Sequence, residues 1–397
     1  GYNALTAQNN DAANYNVAVG SSAGAAVTTG IQNVLAGGLA GDALTDADFN
    51  VAMGYNALTS DTLGNKSVAI GQATLKDQNF TTATDALNTA VGYQAGKSVT
   101  TGIQNTLVGG LAGDAITDAD YNVAVGYGSL GANTVGSRSV AIGFNALEVQ
   151  NPATAANMYN VAVGSSAGAA ITTGVQNVLI GGLAGDAITD ADQNVAVGHN
   201  SLSANTVGSR SVAMGYGALA VQNPATATNM YNTAVGYSAG VAVTTGIRNN
   251  FIGGLAGDAT TDADDNIALG YNALGANTVG SRSVAVGTDA LATQNPATAT
   301  NMYNTAVGYD AGQEITTGID NTLIGALAGD ALTDADDNVA VGRSALTNDT
   351  LGKKSVAIGR SALQTQNFTT ATDSYNVAVG YGSGISVTTG IRNILIG

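Results

Sequence analysis

Acidic side chains recur at fixed positions in this chain and form its most regular set of potential metal ligands. Each of five segments carries three aspartates in the pattern Asp-x3-Asp-x-Asp. Because Ca²⁺ prefers carboxylate and carbonyl oxygens, each cluster is a candidate calcium site. The clusters are Asp42, Asp46 and Asp48; Asp114, Asp118 and Asp120; Asp186, Asp190 and Asp192; Asp258, Asp262 and Asp264; and Asp330, Asp334 and Asp336.

The spacing of these clusters favours a structural role over metal binding. Calcium loops of the EF-hand type have alternating acidic positions, a central glycine and a distal glutamate, and these segments do not. Aspartate is also common in solvated turns, where its side chain accepts hydrogen bonds from backbone amides. We therefore expect no cofactor, with calcium as the alternative.

A basic residue precedes the same serine in every repeat, and these five residues are a large share of only 12 cations. In the rung before each basic residue, an aspartate lies two positions ahead of the predicted strand. We expect salt bridges between the two sets, with contact to a receptor or glycan as the alternative. The basic set is Lys66, Arg138, Arg210, Arg282 and Lys354, and the acidic set is Asp48, Asp120, Asp192, Asp264 and Asp336.

Residues suited to catalysis are scarce. The chain has no cysteine, and His199 is its single histidine, so no histidine-based triad or metal cluster can form within one chain. The segment from Gly92 to Ser98 resembles a phosphate-binding loop, but three residues separate its glycines where the motif needs four. We predict no enzymatic activity and no catalytic residue.

Composition limits the classes of partner. There are 28 acidic and 12 basic residues, giving a net charge of −16, which would repel nucleic acid and an anionic membrane. No stretch approaches the ~20 apolar residues of a membrane-spanning helix. We expect no nucleic-acid partner and no membrane insertion. Both ends coincide with the glycine of a repeated motif, so we expect the chain to be part of a longer protein.

The dominant feature is a 72-residue repeat. The motif Asn-Val/Thr-Ala-Val-Gly returns at this interval, which is typical of proteins built by stacking one unit along an axis. We therefore predict one continuous array over 1–397. It comprises the end of a preceding unit (1–15), five units (16–87, 88–159, 160–231, 232–303 and 304–375) and the start of another (376–397).

Each unit divides into four turns of chain, here called rungs, whose motifs are spaced 17, 17, 17 and 21 residues apart. Val17 and Val19 alternate about Ala18, as in a short strand. All three are apolar, so both faces should be covered, and neighbouring chains could cover one of them. We expect valines to stack inside and the motif asparagines to form a column.

Other parts of the rung give further expectations. Val27 and Ile31, with a Thr-Thr-Gly segment between them, predict a second strand in the first rung. The longer fourth-rung loop, Gln150–Thr154 in one repeat, varies between repeats and is predicted to protrude, where it could tolerate change or bind a partner.

These motifs resemble a known family. Asn50–Leu58, Asn88–Gly96 and Ser139–Gly143 resemble the head repeats of YadA-like trimeric autotransporter adhesins and, more closely, repeat arrays in phage tail fibres, particularly those of marine and cyanobacterial hosts. The resemblance implies an all-β fold, a left-handed parallel β-roll or β-solenoid. It also implies a homotrimeric fibre, intertwined or side by side, exposed on a virion or cell surface. The 17-17-17-21 spacing departs from the shorter adhesin repeats.

Three functions remain in competition. The first is a phage tail-fibre shaft that mediates or positions host-cell attachment and contacts itself, neighbouring fibre or virion proteins, and a host receptor or glycan through a tip or loops. The second is a bacterial trimeric autotransporter-like surface adhesin. The third is a ligand- or calcium-binding solenoid, which should carry a regular threonine face, whereas Thr28-Thr29 recurs only in the first rung of each unit.

Overall fold

A computed structural model of the chain describes residues 1–9 and 13–397. Within these ranges the regular secondary structure is entirely β-strand. No helix capable of crossing a membrane occurs in this part of the chain. Two compact units, Gly1–Ala196 and Val197–Gly397, are described separately below.

The first unit is a stack of short parallel strands. Successive strands pair in register, with Val17 opposite Val34 and Val34 opposite Val51. The three-residue strands are Val17–Val19, Val34–Ala36, Val51–Met53, Val68–Ile70, Thr89–Val91, Thr106–Val108, Val123–Val125, Val140–Ile142, Val161–Val163 and Val178–Ile180. Two-residue strands pair beside them, Gly64–Asn65 with Thr84–Asp85 and Gly136–Ser137 with Ala156–Asn157.

The second unit repeats this arrangement, and the strand Val195–Val197 contains the boundary. Its three-residue strands are Val212–Met214, Thr233–Val235, Asn250–Ile252, Ile267–Leu269, Val284–Val286, Thr305–Val307, Thr322–Ile324, Val339–Val341, Val356–Ile358, Val377–Val379 and Ile394–Ile396. Its two-residue pairs are Gly208–Ser209 with Thr228–Asn229, Gly280–Ser281 with Thr300–Asn301, and Gly352–Lys353 with Thr372–Asp373.

Parallel pairing between consecutive strands means that the chain makes one complete turn from each strand to the next. The turn takes 17 residues in three rungs and 21 in the fourth, as between Val123, Val140 and Val161. Each unit is therefore a β-solenoid, and the prediction of an all-β, parallel β-solenoid is confirmed.

Each strand turns its central residue into the interior, and the residues that flank it face outward. Leu107, Ala124 and Ala141 are fully buried, whereas the residues before and after them are only partly covered. The expectation of valine on valine inside the solenoid is therefore wrong. Because side chains alternate along a strand, turning the central residue inward turns both neighbours outward.

Interior volume is shared between neighbouring rungs. A Cβ added to Gly96 would lie 2.7 Å from Leu107 Cδ1, and one added to Gly113 would lie 2.8 Å from Leu107 Cδ2. In the third and fourth rungs the large residue lies in the turn instead of the strand. The strand carries Ala124 or Ala141, and the turn carries the buried Leu130 or Leu147. One leucine thus fills the space that two glycines leave.

The second strand expected between Val27 and Ile31 does not form. Val27 is buried, but the segment contains bends at Thr28 and Thr29 and no strand. Its amides still bond to the next rung, since Thr28 N donates to Thr45 O at 2.9 Å. The bends at Thr28 and Thr29 interrupt the extended conformation that a strand requires.

Candidate functional site

A column of buried asparagines is the most extensive polar feature of each unit. Asn105 accepts the backbone N–H of Asn122 (3.0 Å) through Oδ1 and donates through Nδ2 to Ala119 O (2.8 Å) and Asn88 Oδ1 (3.3 Å). The same pattern recurs at Asn33, Asn177 and Asn321. The side chain thereby satisfies buried backbone groups in the turn, so the expected asparagine column is present and structural.

The column is completed at the fourth rung by residues that sequence reasoning missed. Ser139 replaces asparagine there and leaves space, which Gln150 enters from the longer loop. Gln150 Nε2 donates to Ser139 Oγ (3.1 Å), and Gln150 Oε1 accepts from Asn160 Nδ2 (2.9 Å). A glutamine at this position in every repeat was the available signal. The set is Gln78, Gln150, Gln222, Gln294 and Gln366, all fully buried.

The fourth-rung loop is exposed in part, and two of its residues are buried. Gln150 and Pro152 are buried, as are Gln78 and Phe80 of the first repeat. The exposed residues are Asn151 and 153–155 in this loop, and Asn79 and 81–83 in the first. Sequence variation in this loop includes a buried position, Phe80 against Pro152, and an exposed one, Thr81 against Ala153.

Variation in the loop is matched by a buried acid. Where the loop contains Phe80, the facing residue is Asp61, which accepts the N–H groups of Phe80 (3.3 Å) and Gly64 (3.0 Å) and Gln78 Nε2 (2.6 Å). Where the loop contains Pro152, which has no N–H, the facing residue is Asn133.

The amide of Asn133 is satisfied within its own turn. It accepts from Gly136 N (3.0 Å) and donates to Gly136 O (2.7 Å). The pairing holds along the chain, with Phe facing Asp at 368 and 349, and Pro facing Asn at 224 and 205 and at 296 and 277. Aspartate, whose carboxylate only accepts hydrogen bonds, is thus present where phenylalanine offers an additional backbone N–H. Asparagine is present where proline offers none.

The three aspartates of each acidic cluster point to different partners. In the first repeat, Asp42 accepts the Thr59 hydroxyl, Asp46 accepts the Thr29 hydroxyl (2.5 Å), and Asp48 accepts the Ile31 N–H (2.8 Å). The Asp48 contact recurs at Asp120, Asp192, Asp264 and Asp336. Burial raises the pKa of the Asp42 equivalents Asp114, Asp258 and Asp330.

This arrangement has one consequence for metal binding. In residues 1–9 and 13–397, no group of three or more histidine, cysteine, aspartate or glutamate side chains is placed to hold an ion. The clusters named in the sequence therefore do not converge, and calcium binding at them stays the untested alternative.

Arg282 Nε lies 3.8 Å from Asp265 Oδ2, beside the predicted partner Asp264. The side-chain contacts of Lys66, Arg138 and Lys354 do not include the aspartates predicted for them. Lys66 Nζ instead contacts Asp85 Oδ2 (2.5 Å), Lys354 Nζ contacts Asp373 Oδ2 (2.8 Å), and Arg138 Nε donates to Asn157 Oδ1 (3.0 Å). The aspartates expected as partners already bind backbone N–H groups. Asp336 does contact a lysine, but it is Lys353 (2.6 Å).

The same basic residues stack against tyrosines of nearby rungs. The Arg138 guanidinium lies 4.8 Å from the Tyr121 ring centroid and 6.0 Å from that of Tyr159. Arg282 lies 5.8 Å from Tyr303 and donates to its hydroxyl (2.9 Å). At exposed sites such cation–π contacts contribute about 0.5–1 kcal/mol each. The sequence did not predict these contacts between cations and aromatic rings, because the residues come from different rungs and meet only when the rungs stack.

Threonines form a more regular column than the sequence suggested. Thr28, Thr45 and Thr62 stack on successive rungs, and Asn79 follows them. Thr28 donates to Thr45 O (3.2 Å), Thr45 to Thr62 O (3.1 Å) and Thr62 to Asn79 Oδ1 (3.1 Å). The pair Thr28-Thr29 belongs to the first rung, but single threonines continue the column on the rungs that follow. Its hydroxyls donate within the column, which favours a structural role.

No model of a known protein family matches this chain, and no curated protein matches its sequence.

The buried carboxyls predict an unusual response to pH. Burial raises the pKa of Asp61, Asp114, Asp258, Asp310 and Asp330 above the ordinary 3.8. A raised pKa means that the folded state binds protons more tightly than the unfolded state. The stabilisation is complete below about 3.8 and is lost as pH rises through the folded-state pKa values.

We therefore expect the melting temperature to rise as pH is lowered from 7.5 towards 4.5 at constant ionic strength. Arg248 and Lys354 lower the pKa of the more exposed Asp265 and Asp373. The stability that these two ion pairs contribute is therefore lost mainly as pH falls below 3.8. Differential scanning calorimetry across this range checks the prediction, and Asp61→Asn should flatten the profile. A stability maximum at neutral pH would contradict it.

Proposed function

We propose that this chain is a segment of the structural shaft of a viral tail fibre, that it assembles as a homotrimer, and that it positions a host-attachment tip. The observation that carries the proposal is the apolar outer face of the strand stack. Ile142 and Ile180 in the first unit are 38% and 40% exposed, and Ile252 and Leu269 in the second are 42% and 43% exposed. Contiguous exposed apolar surface of this kind is typical of an interface.

Further copies of the same chain are the partner that best fits this surface. The stripe repeats with the rungs, so a partner with the same repeat meets it with identical contacts on every rung. Covering each half-exposed isoleucine contributes about 1 kcal/mol. The resemblance to trimeric adhesins and phage fibres favours three chains and an extracellular, virion-surface location.

A mass measurement tests the assembly. In analytical ultracentrifugation we expect a particle three times the 39.0 kDa mass of one chain. The double variant Ile142→Glu and Ile180→Glu should dissociate or aggregate, because it puts charges into the apolar contact. Thr154→Glu, on an exposed loop tip, is the matched control and should remain trimeric. A stable, monodisperse wild-type monomer would exclude the proposal.

The alternative is a bacterial surface adhesin whose repeats themselves bind host molecules. Both functions use the same stacked fold, and they differ in whether the repeat segment adheres to cells without a tip. The proposal assigns no reaction to this segment, since its buried polar side chains, such as Asn105 and Gln150, form hydrogen bonds within the asparagine column. Binding of the isolated trimer to host cells would favour the adhesin.

A further inference from the structure

A cavity of about 300 Å³ opens on the surface of the first unit. Three neighbouring rungs line it, and both apolar and polar groups face it. Leu111 and Val149 supply apolar surface, and Tyr127 supplies a ring that stacks on Phe144 at 5.8 Å. The other lining residues are Asp114, Gly128, Gly131, Ala132, Asn145 and Glu148.

Two glycines create this space. In the first repeat their positions hold Asn56 and Thr59, and the Thr59 hydroxyl donates to Asp42. In this repeat Gly128 and Gly131 leave the equivalent carboxylate, Asp114, without that donor. A Cβ at Gly131 would lie 3.1 Å from Gly128 O and 3.7 Å from Asp114 Oδ1, so space remains beside the carboxylate.

A later repeat has the second glycine but not the first. There Asn272 stands where Gly128 does, and its Oδ1 lies 2.1 Å from the position of a Cβ on Gly275. The Asn272 side chain thus occupies the space over Gly275. The open cavity depends on the loss of both side chains together.

The polar side chains that line the cavity offer more hydrogen-bond acceptors than donors. Asp114 and Glu148 contribute carboxylates, and Asn145 contributes an amide whose Oδ1 lies 2.5 Å from the position of a Cβ on Gly128. No lysine or arginine lines the cavity. A matching ligand must therefore present several donors and an apolar face, and it must be larger than a metal ion.

We propose that this cavity binds one neutral pyranose residue. Its hydroxyls donate to Asp114, Asn145 and Glu148, and one of them takes the place of the missing Thr59-type hydroxyl. Its C–H face packs on Leu111, Val149 and Tyr127. A pyranose ring fits within the cavity volume, and a bare cation would not fill it. The site needs only the turns of the first unit and does not depend on the shaft proposal.

Saturation-transfer NMR with the full chain tests the site. The probes are methyl glycosides of glucose, galactose, mannose, rhamnose and N-acetylglucosamine, with ethylammonium and Ca²⁺ as competitors. We expect at least one glycoside to bind and the cations not to displace it. Gly131→Thr, which rebuilds the first-repeat arrangement on Asp114, should weaken binding at least tenfold. Asp114→Asn should do the same, because it removes a charged acceptor.

Matched controls separate binding from folding. Asp258→Asn makes the same substitution at the equivalent, similarly buried position in the repeat whose space Asn272 fills, and should leave binding unchanged. All three variants should keep the wild-type melting temperature within a few degrees. The inference is overturned if no glycoside binds, if the cations alone bind, or if Gly131→Thr binds as the wild type does. These results are independent of the trimer mass.

Discussion

Replacing Asn105 by alanine is expected to lower the free energy of unfolding by about 3 kcal/mol or more. The substitution leaves the Ala119 carbonyl and the Asn122 N–H without their side-chain partner inside the solenoid. Each buried backbone group deprived of its hydrogen bond costs roughly 1–3 kcal/mol. Hydrogen exchange at the Asn122 amide provides a local measurement and should accelerate more than exchange several rungs away.

Asn151 supplies the control for this experiment. Its side chain lies on the surface and accepts the Thr134 hydroxyl at 2.6 Å. Asn151→Ala should change the unfolding free energy by no more than about 0.5 kcal/mol, the usual range for surface positions. Equal effects of the two substitutions would mean that the buried column does not support the fold.

Gly109→Ala is expected to prevent normal stacking of the rung that contains it. Gly109 has φ +136°, and an added Cβ would lie 2.6 Å from Gly126 O in the next rung. The strained conformation alone costs about 1–3 kcal/mol. The clash is with backbone, so it can be relieved only by separating two rungs. We expect a fall in melting temperature of about 10 °C or more, or failure to fold.

The adjacent residue makes a close comparison. Gly110 has no strained φ, and its added Cβ would meet only the Tyr127 ring at 3.5 Å, an ordinary contact distance. Gly110→Ala should therefore melt within a few degrees of wild type. If Gly109→Ala were equally mild, the close backbone approach between glycines would not be a constraint on this fold.

Sequence reasoning predicted the repeated strand because its signal is local. Strand, turn glycine and asparagine lie within five residues, and the 17- and 21-residue intervals return this motif to the same place on every rung. The intervals also predicted that asparagines such as Asn88 and Asn105 would meet. Stacking at a fixed period needs no knowledge of side-chain packing, so the β-solenoid could be derived before any coordinates.

Contacts that join different positions of different rungs could not be derived in this way. Gln150 completes the asparagine column from a loop that the sequence assigned to the surface, and Asp61 depends on the Phe80 N–H. The salt bridges predicted for Lys66 and Lys354 did not form, because their amines contact Asp85 and Asp373 instead.

The sequence by itself determined the repeat, the strand, the turn glycine and the asparagine column. Tertiary structure decided which side of each strand faces inward and how Leu107 fills the space left by Gly96 and Gly113. It also decided that Gly128 and Gly131 open a cavity beside Asp114. The physical reason is that periodicity fixes which residues stack, whereas volume and hydrogen-bond capacity are shared between unlike positions. Those positions meet only when the chain closes each turn.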